Sequence, residues 1–416
     1  MFINWFNMQK RRCGGIENLG IQNIFTPLRN IEKAVNVNFR DFILPDAKSI
    51  GVLFNWEFIL NFLEDNLDYN YLKDEVVFTY FYDSEADKNA LDNNFLLHKY
   101  RKEFNFKIEF VDITKFTEQN RNINIIKEAM ANKHFDIVFS NPPYNNNIDL
   151  KILQTVFDYA DKVVFIHPST FLLDKKFKTK IYNEIRNTNY LEKTIFIWGN
   201  MLFDIWLSVP IVISAWNKNH NSNIVEVIDS AITNSKYTCS VNDISVHGEY
   251  FQKVKQFLNC ENNLQNNITD ENELTDYSVK FALIRGHANT NKYNVSYNDD
   301  FFSLIALDNE LNKCDPTFRF GNHVHMKLHW AFSSEEERNN FIGYCKTKIV
   351  RFLLSLIKIN AHVDSGELKV IPWMDFTQEW NDKKLCEEFN IDKELWNYIN
   401  KFIPDYYEDY KSGFDK

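Results

Sequence analysis

Phe135-Asp136-Ile137-Val138-Phe139-Ser140-Asn141-Pro142-Pro143-Tyr144 is the stretch whose reading decides the fold. Its first part is an apolar run of strand length, and a rigid turn follows at once. Two prolines fix φ and carry no N–H, so the turn is stiff and its carbonyls face outward without internal partners. The Asn141 side-chain oxygen and the Pro142 carbonyl are two acceptors that can bond both hydrogens of an exocyclic amine. The Tyr144 ring offers a face on which a planar base taken out of its stack can rest. Open α/β sheets place ligands outside the carboxyl ends of their strands, so a site belongs here. The plain alternative is a proline-rich turn with Tyr144 as an ordinary rim aromatic.

Working outward, short apolar runs read as strands at 49–54, 76–81 and 107–111 before the turn, and at 162–166, 194–198 and 210–216 after it. Helical spacing marks 30–40, 57–67, 149–161 and 175–187. Strands alternating with helices predict a mostly parallel sheet wound on both faces, and the last two strands read as an antiparallel edge hairpin. A polar, Asn-rich region at 217–275 breaks the pattern. The expected organisation is therefore an α/β domain over 1–216, a linker or insertion over 217–275, and a second, α+β domain over 276–416. In that last part 334–359 reads as one long helix opened by Ser334 and Glu335 to Glu337, 366–373 as a short strand, and 380–389 and 392–402 as closing helices.

With 416 residues the chain exceeds what one core usually serves. A net charge of −10 does not advertise a nucleic-acid binder, though a local basic groove is what holds phosphate. The six cysteines are scattered, with no C-x-x-C pair and no histidine at metal-ligand spacing. Inert thiols in a reducing cytoplasm are expected, with no disulfide framework and no metal. No apolar run reaches the length of a membrane span, and the N-terminus lacks a signal-peptide pattern.

Two further acids stand where chemistry is expected. In nucleotide-type α/β folds a carboxylate at the end of the second strand accepts hydrogen bonds from ribose hydroxyls, and Asp83 has that place. Its plain role is a helix N-cap shared with Ser84. Asp112 ends the third strand and can hold the amine of an adenine ring, or simply face solvent.

In this order the parts resemble the S-adenosylmethionine-dependent DNA adenine methyltransferases, especially those of type II restriction-modification systems. Phe25-Thr26-Pro27 resembles the family's early segment touching the methionine end of the cofactor. Asp83 resembles its ribose-binding position, Asp112 the position beside the cofactor's adenine, and Asn141-Pro142-Pro143-Tyr144 its catalytic motif. Residues 164–172 are similar to the strand and turn that follow that motif, 203–216 to the segment before the recognition region, and 327–402 to the end of the recognition domain. The resemblance implies a Rossmann-like methyltransferase sheet with a C-terminal α+β recognition domain. It implies S-adenosylmethionine as cofactor, double-stranded DNA as partner, and methylation of the N6 amine of a flipped adenine. Cytosine N4 and a glutamine side-chain amide are variants of the same chemistry. At one place the chain departs from the pattern. Where the family has a Gly-rich turn after the first strand, this sequence reads Gly51-Val52-Leu53-Phe54-Asn55-Trp56-Glu57-Phe58. Phe54 there is the expected cofactor neighbour, and Asn55, which tolerates φ > 0, is the residue around which the turn can be rebuilt. Trp56 and Glu57 would crowd or repel a methionine carboxylate. The alternative is a catalytically silent relative that binds DNA or a partner subunit.

For DNA contact the sequence offers Lys175, Lys176, Lys178 and Lys180 with Arg186 following, then Lys346, Lys348 and Arg351, and Arg285 after a strand-like run. The plain reading of each is a solvated helix face or a tight turn.

Overall fold

The structure, a computed structural model, describes residues 47–65, 75–117, 119–173, 179–198, 210–230, 235–245, 247–273, 279–284, 305–307, 324–357 and 365–403. The chain forms two compact units, one reaching Ile244 and the other starting at Ser245.

The first unit is built on β1 (Ser49–Leu53), β2 (Val76–Tyr82), β3 (Phe106–Asp112), β4 (Phe135–Ser140), β5 (Ala160–Pro168), β6 (Leu191–Trp198), β7 (Pro210–Asn217), β8 (Ile224–Asp229) and β9 (Ser235–Ser240). They make one sheet in the order β3-β2-β1-β4-β5-β7-β6-β8-β9. β1 to β5 are parallel, β7 runs against both β5 and β6, β8 is parallel to β6, and β9 is antiparallel at the edge. This is the Rossmann-like, mostly parallel α/β sheet expected from the sequence. Between the strands lie α1 (Glu57–Asp65), α2 (Glu85–Asp92), α3 (Phe95–Glu103), α4 (Ile123–Met130), α5 (Ile148–Val156), α6 (Thr170–Leu173) and α7 (Lys180–Arg186).

Two expectations are corrected here. The β6–β7 pair is antiparallel, but it is not the sheet edge, since β8 and β9 continue the sheet beyond β6. Both added strands come from 217–275, so that stretch is no mere linker and the break between units falls at 244/245 rather than 216/217. The physical reason is local. β8 buries Val225, Val227, Ile228 and Asp229, while β9 buries only Tyr237, so the second strand is a half-solvated edge with few apolar residues to betray it.

The apolar runs of the central strands are buried on both faces, as a parallel sheet requires. Ile50, Val52, Phe78, Tyr80, Ile137 and Phe139 face a cluster that also holds Phe58, Ile59 and Phe62 of α1. Gly51 is needed for close approach: a Cβ there would meet Val138 Cγ2 at 2.8 Å and the Phe135 ring at 3.3 Å. Helix starts are set by short polar caps. Ser84 accepts from the N–H groups of Ala86 and Asp87, and Asn94 and Asn122 cap α3 and α4 in the same way.

The second unit holds a three-stranded antiparallel sheet, β11-β10-β12, of β10 (Val279–Ile284), β11 (Ile305–Leu307) and β12 (Val324–Trp330). With it go α8 (Phe251–Val254), α9 (Glu335–Lys346), α10 (Lys348–Ser355), α11 (Asp382–Glu388) and α12 (Lys393–Phe402). The long helix expected over 334–359 is two helices. Thr347 between them is extended (φ −62, ψ 152), and its hydroxyl donates to the Tyr344 carbonyl while accepting from Val350 N–H. The strand expected at 366–373 is a 3-10 turn over Ser365–Val370 with a lone bridge between Asn263 and Pro372. A separate core of Phe341, Tyr344, Phe352, Leu353, Val370 and Trp380 holds this unit together. Among the described residues no helix is long and apolar enough to cross a membrane.

Candidate active site

Strand register builds the site. Leu53 pairs with Phe81 on one side and Ser140 on the other, Phe81 pairs with Val111, and Ser140 with Phe165. The carboxyl ends of β3, β2, β1, β4 and β5 therefore lie in one row. β1 is followed in sequence by β2 on one flank and bordered by β4 on the other, so the strand order reverses there, and a crevice forms where it does. Phe54, Asp83, Asp112 and Asn141 all leave the sheet on this edge.

Asn141 and Tyr144 are half-buried, and Pro142 and Pro143 are buried. The Tyr144 hydroxyl donates a short hydrogen bond to Asn141 Oδ1, closing the turn on itself. Asn146 and Asn147 then take left-handed conformations, each with φ 57, and lead into α5. Asparagine tolerates that region better than most residues, which explains its presence at these two positions.

The turn after β1 is rebuilt, though not around Asn55. Phe54 carries the positive φ, 72°, and is 2% exposed with its ring 5.7 Å from that of Phe116. Its N–H reaches the Phe81 carbonyl at 3.4 Å, tying the turn to β2. Asn55 instead starts α1, its Oδ1 accepting from Glu57 N–H at 3.3 Å. A left-handed Phe costs about 1–2 kcal/mol, which the buried ring offsets.

Behind this turn three oxygens stand without partners. Glu57 Oε2, Tyr80 Oη and Asp83 Oδ1 are each shut off from solvent and make no hydrogen bond among the described residues. Burial, opposed by its own N–H and helped by Asp87, pushes the Glu57 carboxyl up to about 7. Asp83 is pushed up to about 8 by the same three influences in the same order. Burial, and then the charges of Asp83, Asp87 and Glu57, drive the Tyr80 hydroxyl well above its usual value. The repulsion expected of Glu57 toward a carboxylate is thus reduced, because near pH 7 it is about half protonated.

Asp112 is exposed, and its Oδ1 accepts from Thr114 N–H at 2.7 Å. That bond holds its carboxyl below the usual range. Sequence reasoning missed a buried group on the other flank. His167 Nε2 lies 2.7 Å from Ser214 Oγ, which accepts from Trp216 Nε1 at 2.8 Å, and Asp149 Oδ2 lies 3.8 Å from His167 Nδ1. His167 and Ser214 are both fully buried, so the Ser-His-Asp order is a brace between β5, β7 and α5 and no nucleophile. Burial lowers His167 to about 3 and raises Asp149 to about 7, so both are largely neutral between those values.

Of the basic candidates, Lys180 is exposed on α7 and lies 3.5 Å from Glu184 one turn on. Arg186 is buried and donates to the Phe171 carbonyl, and Arg351 is fully buried, so neither offers charge to a phosphate. Lys348 Nζ donates to Asn400 Oδ1 at 2.7 Å. Phe25, Thr26, Pro27, Lys175, Lys176, Lys178 and Arg285 lie outside the described residues. No group of acids, histidines and cysteines fit to hold a metal occurs among the described residues.

No family model matches the chain, and no curated protein matches it. Solved structures do. The type I restriction-modification methyltransferase subunit from Streptococcus thermophilus is 13% identical, with 61% of this chain and 56% of that one covered at a TM-score of 0.35. The type IIG restriction endonuclease BpuSI is 12% identical, with 68% and 39% covered at 0.37. A putative class I S-adenosylmethionine-dependent methyltransferase from Listeria monocytogenes is 12% identical, with 50% and 64% covered at 0.29. The chain spans about half the length of the first of these. Likeness at that level is too slight to carry a substrate or a partner over to this chain.

Proposed function

We propose that this protein transfers a methyl group from S-adenosylmethionine to the exocyclic N6 amine of an adenine in double-stranded DNA. The observation that supports this best is the shared row of strand ends. It sets the Asn141–Tyr144 turn beside Phe54, with the orphaned oxygen of Asp83 one strand further on.

The residues fit the cofactor. A buried carboxyl oxygen with no partner needs a donor, and ribose hydroxyls at Asp83 would supply one. When bound, S-adenosylmethionine supplies a methyl group on a sulfonium sulfur. On the target side Asn141 Oδ1 and the Pro142 carbonyl accept the two amine hydrogens, which draws the nitrogen toward sp³ character and leaves its lone pair free. The Tyr144 ring supports the extruded base from below. No strong general base is required, since the amine becomes acidic once its nitrogen carries positive charge. The Tyr144 hydroxyl takes one of the two lone pairs of Asn141 Oδ1, and in this reading target entry includes a rotation of that hydroxyl away from it. Lys180, with Lys175, Lys176 and Lys178 beside it in sequence, and Arg285 are assigned to phosphate contact, and a partner subunit to completing DNA recognition.

The test is incubation with methyl-labelled S-adenosylmethionine and unmethylated duplex DNA, followed by digestion and mass spectrometry of the nucleosides. N6-methyladenine is the expected product. N4-methylcytosine would move the target to the other amine. DNA binding with no methylated base would favour the silent relative, to which the missing glycines after β1 also point.

A further inference from the structure

Resting on the reading that this crevice takes S-adenosylmethionine, we propose that Glu57 and Tyr80 join Asp83 as one wall receiving the hydroxyl- and ammonium-bearing part of the cofactor, replacing the recognition that a glycine turn would give. Tyr80 is fully buried in the middle of an apolar strand, yet its hydroxyl has no partner. A buried hydroxyl left unpaired is costly, and a phenylalanine would fill the same space without the cost. Val52 of β1 pairs with Tyr80 of β2, Glu57 opens the helix that follows β1, and Asp83 follows the last residue of β2, so the three belong to the same end of two adjacent strands. Glu57 Oε2 and Asp83 Oδ1 share the condition: shielded, and unpaired among the described residues.

What would satisfy the three is set by their chemistry. The two carboxyls accept when ionised, as a bound cation would favour, and the phenol accepts or donates. Lys88, in the helix after β2, is engaged elsewhere, pairing with Glu85 at 3.6 Å and lying over the Tyr82 ring at 5.0 Å. Glu57 and Asp83 belong to no group of three or more acids, histidines and cysteines that could hold a metal among the described residues. The arrangement suits a group rich in donors and of net positive charge: a ribose diol with an α-ammonium. Asp83, the last of the three in sequence and beside the end of β2, takes the ribose with Tyr80. Glu57, in the first turn of α1 just past the rebuilt corner, takes the ammonium. Glu57 is then a contact and not an obstruction.

Two probes separate these roles. S-adenosylhomocysteine carries both ribose and amino acid, whereas 5′-methylthioadenosine carries the ribose alone. Calorimetry with the full chain should show Glu57→Gln weakening the homocysteine ligand about tenfold while leaving the thioadenosine within twofold of wild type. Tyr80→Phe should weaken both about fivefold. It should also melt no lower than wild type, since it removes an unpaired hydroxyl from the core, a combination that a purely structural tyrosine does not give. Wild type binding both ligands with Glu57→Gln and Tyr80→Phe unchanged would overturn this assignment and leave the cofactor reading standing. Wild type binding neither ligand would overturn both. Should Glu57→Gln fail to fold, Tyr80→Phe decides alone.

Discussion

Replacing Tyr144 in two ways should move activity in opposite directions. In the resting turn its hydroxyl competes with the target amine for Asn141 Oδ1, taking one of its two lone pairs. Tyr144→Phe keeps the ring and frees that acceptor. A hydrogen bond is worth about 0.5–1.5 kcal/mol net, so the extruded base should bind about 2- to 10-fold more tightly, seen as a lower KM for DNA with kcat retained. Tyr144→Ala also frees the acceptor but removes the stacking face. Stacking contributes about 1–3 kcal/mol per base, so kcat/KM should fall about 5- to 150-fold, less whatever the freed acceptor returns. Steady-state methyl transfer on one duplex reads both, with DNA fluorescent at the target position reporting extrusion directly. If Tyr144→Phe lost as much as Tyr144→Ala, the hydroxyl would be a substrate contact and the self-closed turn would be no barrier to entry.

Other outcomes follow from the same geometry. Phe54→Gly should relieve about 1–2 kcal/mol of left-handed strain but lose about 3–5 kcal/mol of buried ring, a net loss of about 1–4 kcal/mol by denaturant melt. Gly51→Ala should cost about 1–3 kcal/mol, because its new methyl meets Val138 Cγ2 at 2.8 Å in a packed strand core. Stability without cofactor should fall as pH rises from about 6.5 to about 8. Glu57, Asp83 and Asp149 have folded values raised to about 7, 8 and 7 from 4.5, 3.8 and 3.8, so the folded chain holds more protons than the unfolded one up to pH 8. Their contribution is full below about 4 and is lost through those values. His167 and His247 are lowered to about 3 from 6.5, so they act oppositely, but only below 6.5. Melting temperatures at pH 6.5 and 8 check this, and a flat or rising trend would contradict it.

The central sheet was legible because strands buried on both faces leave continuous apolar runs, as at 76–81 and 162–166. The edge was not, since β9 buries one aromatic side chain and its Ser235-Lys236-Tyr237-Thr238-Cys239-Ser240 reads like a polar insertion. Periodicity across 334–359 ran through Thr347 unbroken because α9 and α10 bury residues on one shared core, and a single extended residue leaves no mark on spacing. The positions of the Asn141–Tyr144 turn and of Asp83 just past strand ends could be read because the apolar runs before them are local properties. Phe54 could not: by residue type Asn55 is the better left-handed candidate, whereas the packed ring of Phe54 against Phe116 holds the strain in place. Tyr80 left no signal at all, and Glu57 read in sequence only as an obstruction, since lacking a partner is a property of tertiary surroundings. Arg186 and Arg351 show the reverse, counted as surface charge in sequence and buried in the fold.

Transfer of label from S-adenosylmethionine to unmethylated, AT-rich duplex DNA by wild type and Asn141→Ala, with cofactor binding measured on both, bears most directly on the amine-gripping turn. Equal cofactor affinity with transfer lowered at least about 100-fold in Asn141→Ala is the expected result. Equal transfer by the two proteins would contradict it.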